Sequence, residues 1–71
     1  MNLKLKFFIL SHGLTQEDVS REAFVSSRTL RNWIKGEVEP NKLAMRDVLK
    51  ALERLTGKKV TPKEIGFENY C

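Results

Sequence analysis

The side chains best equipped for recognition chemistry lie in one stretch, Ser26-Ser27-Arg28-Thr29-Leu30-Arg31-Asn32-Trp33-Ile34-Lys35-Gly36. Arginine and asparagine present paired hydrogen-bonding groups that match guanine and adenine edges in the major groove of DNA, and lysine neutralises phosphate. Ser26 is a good N-cap, because its side-chain oxygen can accept from the unpaired amides of a first turn, and Gly36 is a good C-terminal stop. The nine residues between them read as one short helix. At ~100° per residue, with Leu30 set to zero, Trp33 falls at about 300° and Ile34 at about 40°, whereas Arg28, Arg31, Asn32 and Lys35 fall between about 100° and 200°. One face is therefore apolar and the other cationic and amide-bearing. Such a face suits insertion into DNA, and an ordinary solvated face has the same composition, so the helix alone leaves both readings open.

No other cluster offers comparable chemistry. His12 is the single histidine and sits where a helix-ending loop would place it, which makes it an exposed loop residue rather than a catalytic base. There is no Ser/His/Asp set, no metal-ligand spacing and no phosphate-cradling glycine loop, and Asp47 and Glu53 do not share a helix face. Trp33, on the apolar side of its helix, reads as core rather than as a platform for base stacking. Cys71 is the single cysteine and stands at the end of the chain, where it can form neither an internal disulfide nor a metal cluster. The expectation is a protein with no enzymatic activity, no cofactor, no metal and no small-molecule substrate.

The whole chain sets the same bounds. Its 71 residues make one domain, residues 1–71, with room for a single small core. Hydrophobic residues at 41% and charged residues at 31% give a globular composition. A net charge of +4 favours an anionic partner without choosing one. The distribution is more specific: Glu17, Asp18 and Glu22 outweigh Arg21, whereas Arg28, Arg31, Lys35 and Lys42 gather in and just after the first stretch described. The longest apolar run, Phe7 to Leu10, is far too short to span a membrane, and the start lacks the features of a signal peptide, so a cytoplasmic location is expected.

The elements that must position the cationic helix follow from caps and periodicity. Asn2 caps a first helix running to about Ser11 and closed at His12-Gly13. Its apolar residues form two opposed sets, Leu3/Phe7/Leu10 and Leu5/Phe8/Ile9; one faces the core and the other must meet the C-terminal segment or a second subunit. Thr15 caps a second helix ending near Ala23, with Glu17 and Asp18 in its first turn, Val19 and Ala23 inside and Leu14 as a staple at the entry. Phe24-Val25 leaves only a tight turn before Ser26, so these two helices cross steeply. After the connector Glu37-Val38-Glu39-Pro40, Asn41 caps a fourth helix from Lys42 to about Thr56, with Leu43, Val48, Leu49, Leu52 and Leu55 at helical spacing and Gly57 as stop. Thr61-Pro62-Lys63-Glu64 predicts a short fifth helix through about Gly66, and Phe67 and Tyr70 then form a lid on the first helix or a dimer contact. The predicted architecture is all-α, a compact bundle of about five short helices, with residues 57–71 capping the core or contributing to a dimer.

The run Leu14-Thr15-Gln16-Glu17-Asp18-Val19, then Val25-Ser26, Leu30, Gly36 and Pro40, resembles the Cro/repressor (Xre-type) helix-turn-helix family of phage and bacterial transcription regulators. The resemblance covers roughly residues 3 to 55, with the helix-turn-helix at about 15–36. It implies a lambda-repressor-like DNA-binding domain, double-stranded DNA as partner and residence at the nucleoid. It also implies that the helix after the turn lies in the major groove, with Ser27, Arg28, Arg31 and Asn32 facing base edges. Gln16 matches the family's glutamine that holds a backbone phosphate, and Lys35, Asn41 and Lys42 would touch phosphates on either side.

Three features depart from the family pattern, the third of them a pair of positions. Ser20 stands where alanine is usual, Phe24 stands where the turn has glycine, and Ile9 and Ile34 replace an arginine–glutamate pair. Phe24 either bears strain of order 1 kcal/mol or changes the turn. A buried ion pair can be exchanged for apolar residues with little loss, so Ile9 and Ile34 are expected to touch. The mechanism this implies is occupancy of a short site, as a dimer on two half-sites about one helical turn apart. The rival reading is a small helical protein-interaction module of the same fold, an inhibitor or assembly factor that does not bind DNA. It would draw on the surplus apolar surface of the first helix and on Phe67 and Tyr70, and it would not need the Arg28/Arg31/Asn32/Lys35 face to be free.

Overall fold

Four side-chain oxygens set where the helices begin. Asn2 Oδ1 accepts from the Leu5 amide at 3.1 Å, Thr15 Oγ1 from Asp18 at 3.1 Å, Ser26 Oγ from Thr29 at 3.1 Å and Asn41 Oδ1 from Ala44 at 2.8 Å. Each bond satisfies an amide that the first turn of a helix cannot pair internally. The computed structural model, which describes residues 2–67, accordingly has α1 (Leu3–Ser11), α2 (Gln16–Glu22), α3 (Ser27–Lys35) and α4 (Lys42–Thr56), and then a single 3₁₀ turn, Pro62–Ile65. There is no strand among the described residues. None of these helices is long and apolar enough to cross a membrane.

The expected fifth helix is shorter and tighter than the sequence suggests. Thr61 caps it through the Glu64 amide and Pro62 opens it, but Gly66 at φ 85 ends it after one turn, and the Phe67 amide closes back onto the Pro62 carbonyl at 2.9 Å. The bundle thus has four α-helices and one 3₁₀ turn rather than five helices.

α2 packs on both α3 and α4, while α1 packs on α3 and on the 3₁₀ turn. The core between them takes Leu5 and Ile9 from α1, Val19 from α2, Leu30, Trp33 and Ile34 from α3, and Met45, Val48, Ala51 and Leu52 from α4. Full burial of a side chain such as Leu5, Leu30 or Leu52 stabilises by about 1.5–3 kcal/mol. Ile9 and Ile34, at the positions of the family's ion pair, are both buried in this one cluster. Leu43 does not join it: the helix turns Leu43 outward, 64% exposed, and Met45 and Ala51 take the core-facing places. Ser20 is buried without penalty, because its hydroxyl donates to the Glu17 carbonyl at 3.1 Å and it is small enough to let helices approach.

Of the two apolar sets on α1, Leu5/Ile9 faces the core with Phe8 half-buried beside it. Leu3, Phe7 and Leu10 remain 48%, 59% and 60% exposed, so the cover expected for that side is not supplied by the described residues. Phe67 is buried against the core and lines a cavity with Leu3, Lys4 and Trp33. Tyr70 and Cys71 lie outside the described residues.

The turn between α2 and α3 keeps the geometry that glycine would adopt. Phe24 has φ 58, in the left-handed region, with its amide bonded to the Arg21 carbonyl at 3.3 Å and the Val25 amide to the Ser20 carbonyl at 3.0 Å. Phe24 therefore bears the strain, and the turn is unchanged. Behind it, Arg54 of α4 fixes the end of α2: its Nε donates to Glu22 Oε1 at 2.6 Å and its Nη2 to the Glu22 carbonyl at 3.1 Å.

Candidate nucleic-acid interface

α3 is positioned from three sides. Leu30, Trp33 and Ile34 are buried to 0%, 4% and 4% exposure, and the Ile34 carbonyl accepts from the Asn2 amide at 2.7 Å, which ties the end of α3 to the start of α1. Gly36, at φ 81, closes the helix through bonds to the Asn32 and Trp33 carbonyls. The opposite face carries Ser27, Arg28, Arg31 and Lys35, all exposed, with Asn32 half-buried at its edge. None of these five side chains makes a hydrogen bond or ion pair with any described residue. Two guanidiniums, an ammonium and a carboxamide on one helix are thus free of competition from described groups, as are other exposed cations of the chain such as Lys42 and Lys50, so it is their gathering on one face that singles them out.

Ser27 and Arg31 border a groove of about 520 Å³ between α1 and the starts of α2 and α3. Ile9, Leu10 and Leu14 supply its apolar lining, and Lys6, Thr15, Gln16 and Glu17 its polar lining. The structure thus brings Gln16, Ser27 and Arg31 to one concavity. Arg28, Asn32 and Lys35 share the helix face but stand outside the groove lining. Asn41 and Lys42 lie apart from it, exposed at the start of α4, and Asn41 has already committed its Oδ1 to the Ala44 amide, leaving its amide nitrogen as the free group.

The first turn of α2 is electrostatically set. The Thr15 backbone N–H donates to Asp18 Oδ2 at 3.1 Å while the Asp18 amide donates to Thr15 Oγ1, a reciprocal capping box. The Thr15 backbone bond, and then the Thr15 side chain, hold the Asp18 carboxyl below its ordinary 3.8, with Arg21 adding a smaller effect in the same direction. Gln16 is thereby presented from a fixed helix end with its side chain uncommitted. His12 caps α1, its Nδ1 2.8 Å from the Phe8 carbonyl and its ring 4.3 Å from the Phe8 ring, so it is tied to its own helix.

Lys6 is the residue that sequence reasoning passed over. On the α1 wheel it stands about 40° from Leu10, between the two apolar sets, and nothing in its local sequence ties it to α2 or α3. A model of a helix-turn-helix family matches residues 5–61, most of the chain and all of the elements that build this face. No curated protein and no solved structure matches it.

Proposed function

We propose, from the premise that this chain belongs to the Cro/repressor (Xre-type) helix-turn-helix family of DNA-binding transcription regulators, that it acts as a single module that recognises a specific duplex sequence by laying α3 in the major groove. Ser27, Arg28, Arg31 and Asn32 read base edges; Gln16, Lys35, Asn41 and Lys42 hold backbone phosphates on either side. The observation that carries this reading is the uncommitted state of the α3 face. A cationic and amide-bearing surface whose groups find no partner among the described residues is available for a polyanion, and arginine and asparagine supply the bidentate geometry that guanine and adenine edges require. Regulation follows from occupancy: a bound site either blocks polymerase or helps recruit it, according to where the site lies.

The test is binding of the chain to random duplex DNA over a salt series, followed by selection of preferred sequences from a random pool. Affinity is expected to fall steeply with salt, and less steeply for Lys35→Ala. Arg28→Ala is expected to cost about 1–3 kcal/mol on the selected site and little on random DNA, relaxing specificity at one position. Equal losses on both would remove Arg28 from base reading. Absence of binding even at low salt would favour the rival protein-interaction module, for which the exposed Leu3, Phe7 and Leu10 of α1 supply the surface.

A further inference from the structure

We infer that the DNA-binding surface extends onto α1 through Lys6, whose ammonium neutralises a backbone phosphate at the mouth of the groove it shares with Gln16, Ser27 and Arg31. The inference rests on the reading of α3 as the recognition helix and adds an element to it. Three observations carry it. Lys6 lines the same concavity as Gln16, Ser27 and Arg31, although it comes from a different helix. It is exposed, and its ammonium makes no ion pair or hydrogen bond with any described residue. The same groove is lined by the apolar Ile9, Leu10 and Leu14, and low-dielectric walls of this kind focus the field of neighbouring charges. Lys6 thus acts on an anion at the edge of a groove rather than from a flat surface.

One carboxylate, Glu17, also borders the groove. It stands at the start of α2, next to Gln16, so a phosphate held by Gln16 would lie near a negative charge unless a cation stood close by. Lys6 is the cation that α1 brings to this groove. Its contribution is to backbone phosphate and so is independent of base sequence, which separates it from Arg28, Arg31 and Asn32.

The test compares the chain with Lys6→Ala, Lys6→Arg and Lys63→Ala by fluorescence anisotropy on labelled duplex, on both random and selected sequences, across a salt series. Lys63→Ala removes the same charge from the other flank of α1, where Lys63 lines a separate cavity with Phe7 and Phe8, and so controls for net charge. Lys6→Ala is expected to reduce the slope of log K against log salt by about 0.9, so that the affinity lost between ~50 and ~200 mM salt is about 3.5-fold smaller, equally on both duplexes. Lys6→Arg is expected to keep the slope, and Lys63→Ala to change it less than Lys6→Ala does. Lys6 is exposed, and circular dichroism checks that each variant keeps its helix content. A steep slope for the unaltered chain that Lys6→Ala and Lys63→Ala change equally would overturn the inference and leave the function standing. No salt-dependent binding by the unaltered chain would overturn both.

Discussion

Phe24 shows how little of a residue's cost need be returned by its surroundings. Its left-handed backbone costs about 1–2 kcal/mol for a residue with a Cβ, and at 89% exposure its ring recovers almost nothing by burial. The α2–α3 turn is fixed by the bonds of Phe24 and Val25 to the end of α2, and the side chain has no part in them. Phe24→Gly is therefore expected to stabilise, by up to about 1 kcal/mol once the greater freedom of glycine in the unfolded chain is subtracted. Thermal melting would read this as a rise of a few degrees, and a fall would show that the ring is stabilising in a way its exposure hides. Asp18 supplies a second expectation at this scale. Its carboxyl is held below its ordinary value in the fold by the Thr15 bonds, so its stabilisation is fully present above the unfolded value near 4 and is lost as pH falls through the lower, folded value. Melting temperature measured between about pH 5 and pH 2 should decline in the parent chain and decline less in Asp18→Asn.

Among the elements, the start of α1 is the joint on which the placement of α3 depends. Asn2 acts three times: its Oδ1 caps α1, its Nδ2 donates to the Ile65 carbonyl at 2.9 Å, and its backbone amide donates to Ile34 at the end of α3 at 2.7 Å. A Cβ on Gly66 would collide with this carboxamide, and Gly66 already sits at φ 85. Gly66→Ala is accordingly expected to destabilise by about 2 kcal/mol, from left-handed strain and the displaced clasp together. In an Asn2→Ala background the added cost should shrink, because the collision is gone; equal costs in both backgrounds would show that strain alone acts. This joint was not legible in the sequence, since Asn2 as N-cap was visible but its bonds to Ile34 and Ile65 span most of the chain. What was legible was local. Ser26 and Gly36 marked the ends of α3 because caps act within one turn, and the outward position of Arg28, Arg31 and Lys35 followed from 3.6-residue periodicity. Leu43 was misread for the converse reason: periodicity groups leucines on a wheel, and only packing decides that Met45 and Ala51 meet the core instead. The groove that joins Lys6 to Gln16 and Arg31 likewise depends on how α1 crosses the other helices.

At the scale of the whole molecule, size bears on how two copies would share one site. The described residues span 25 × 25 × 21 Å along their principal axes. Two half-sites one helical turn apart place recognition helices about 34 Å from each other, farther than the longest extent of one protomer, so two copies can lie side by side on one face of the duplex. The exposed Leu3, Phe7 and Leu10 span only about 10 Å of a nine-residue helix, a small patch beside the ~800 Å² per partner of a stable interface. We therefore expect a monomer in solution and a dimer on DNA, with assembly driven by the shared polyanion rather than by the protein surface. Sedimentation at micromolar concentration should give a single 8.2 kDa species. The sequence selected from a random pool should be palindromic, and a duplex carrying both half-sites should bind two copies with positive cooperativity that disappears when about five base pairs, half a helical turn, are inserted between them. A dimer that persists without DNA at nanomolar concentration would overturn this expectation.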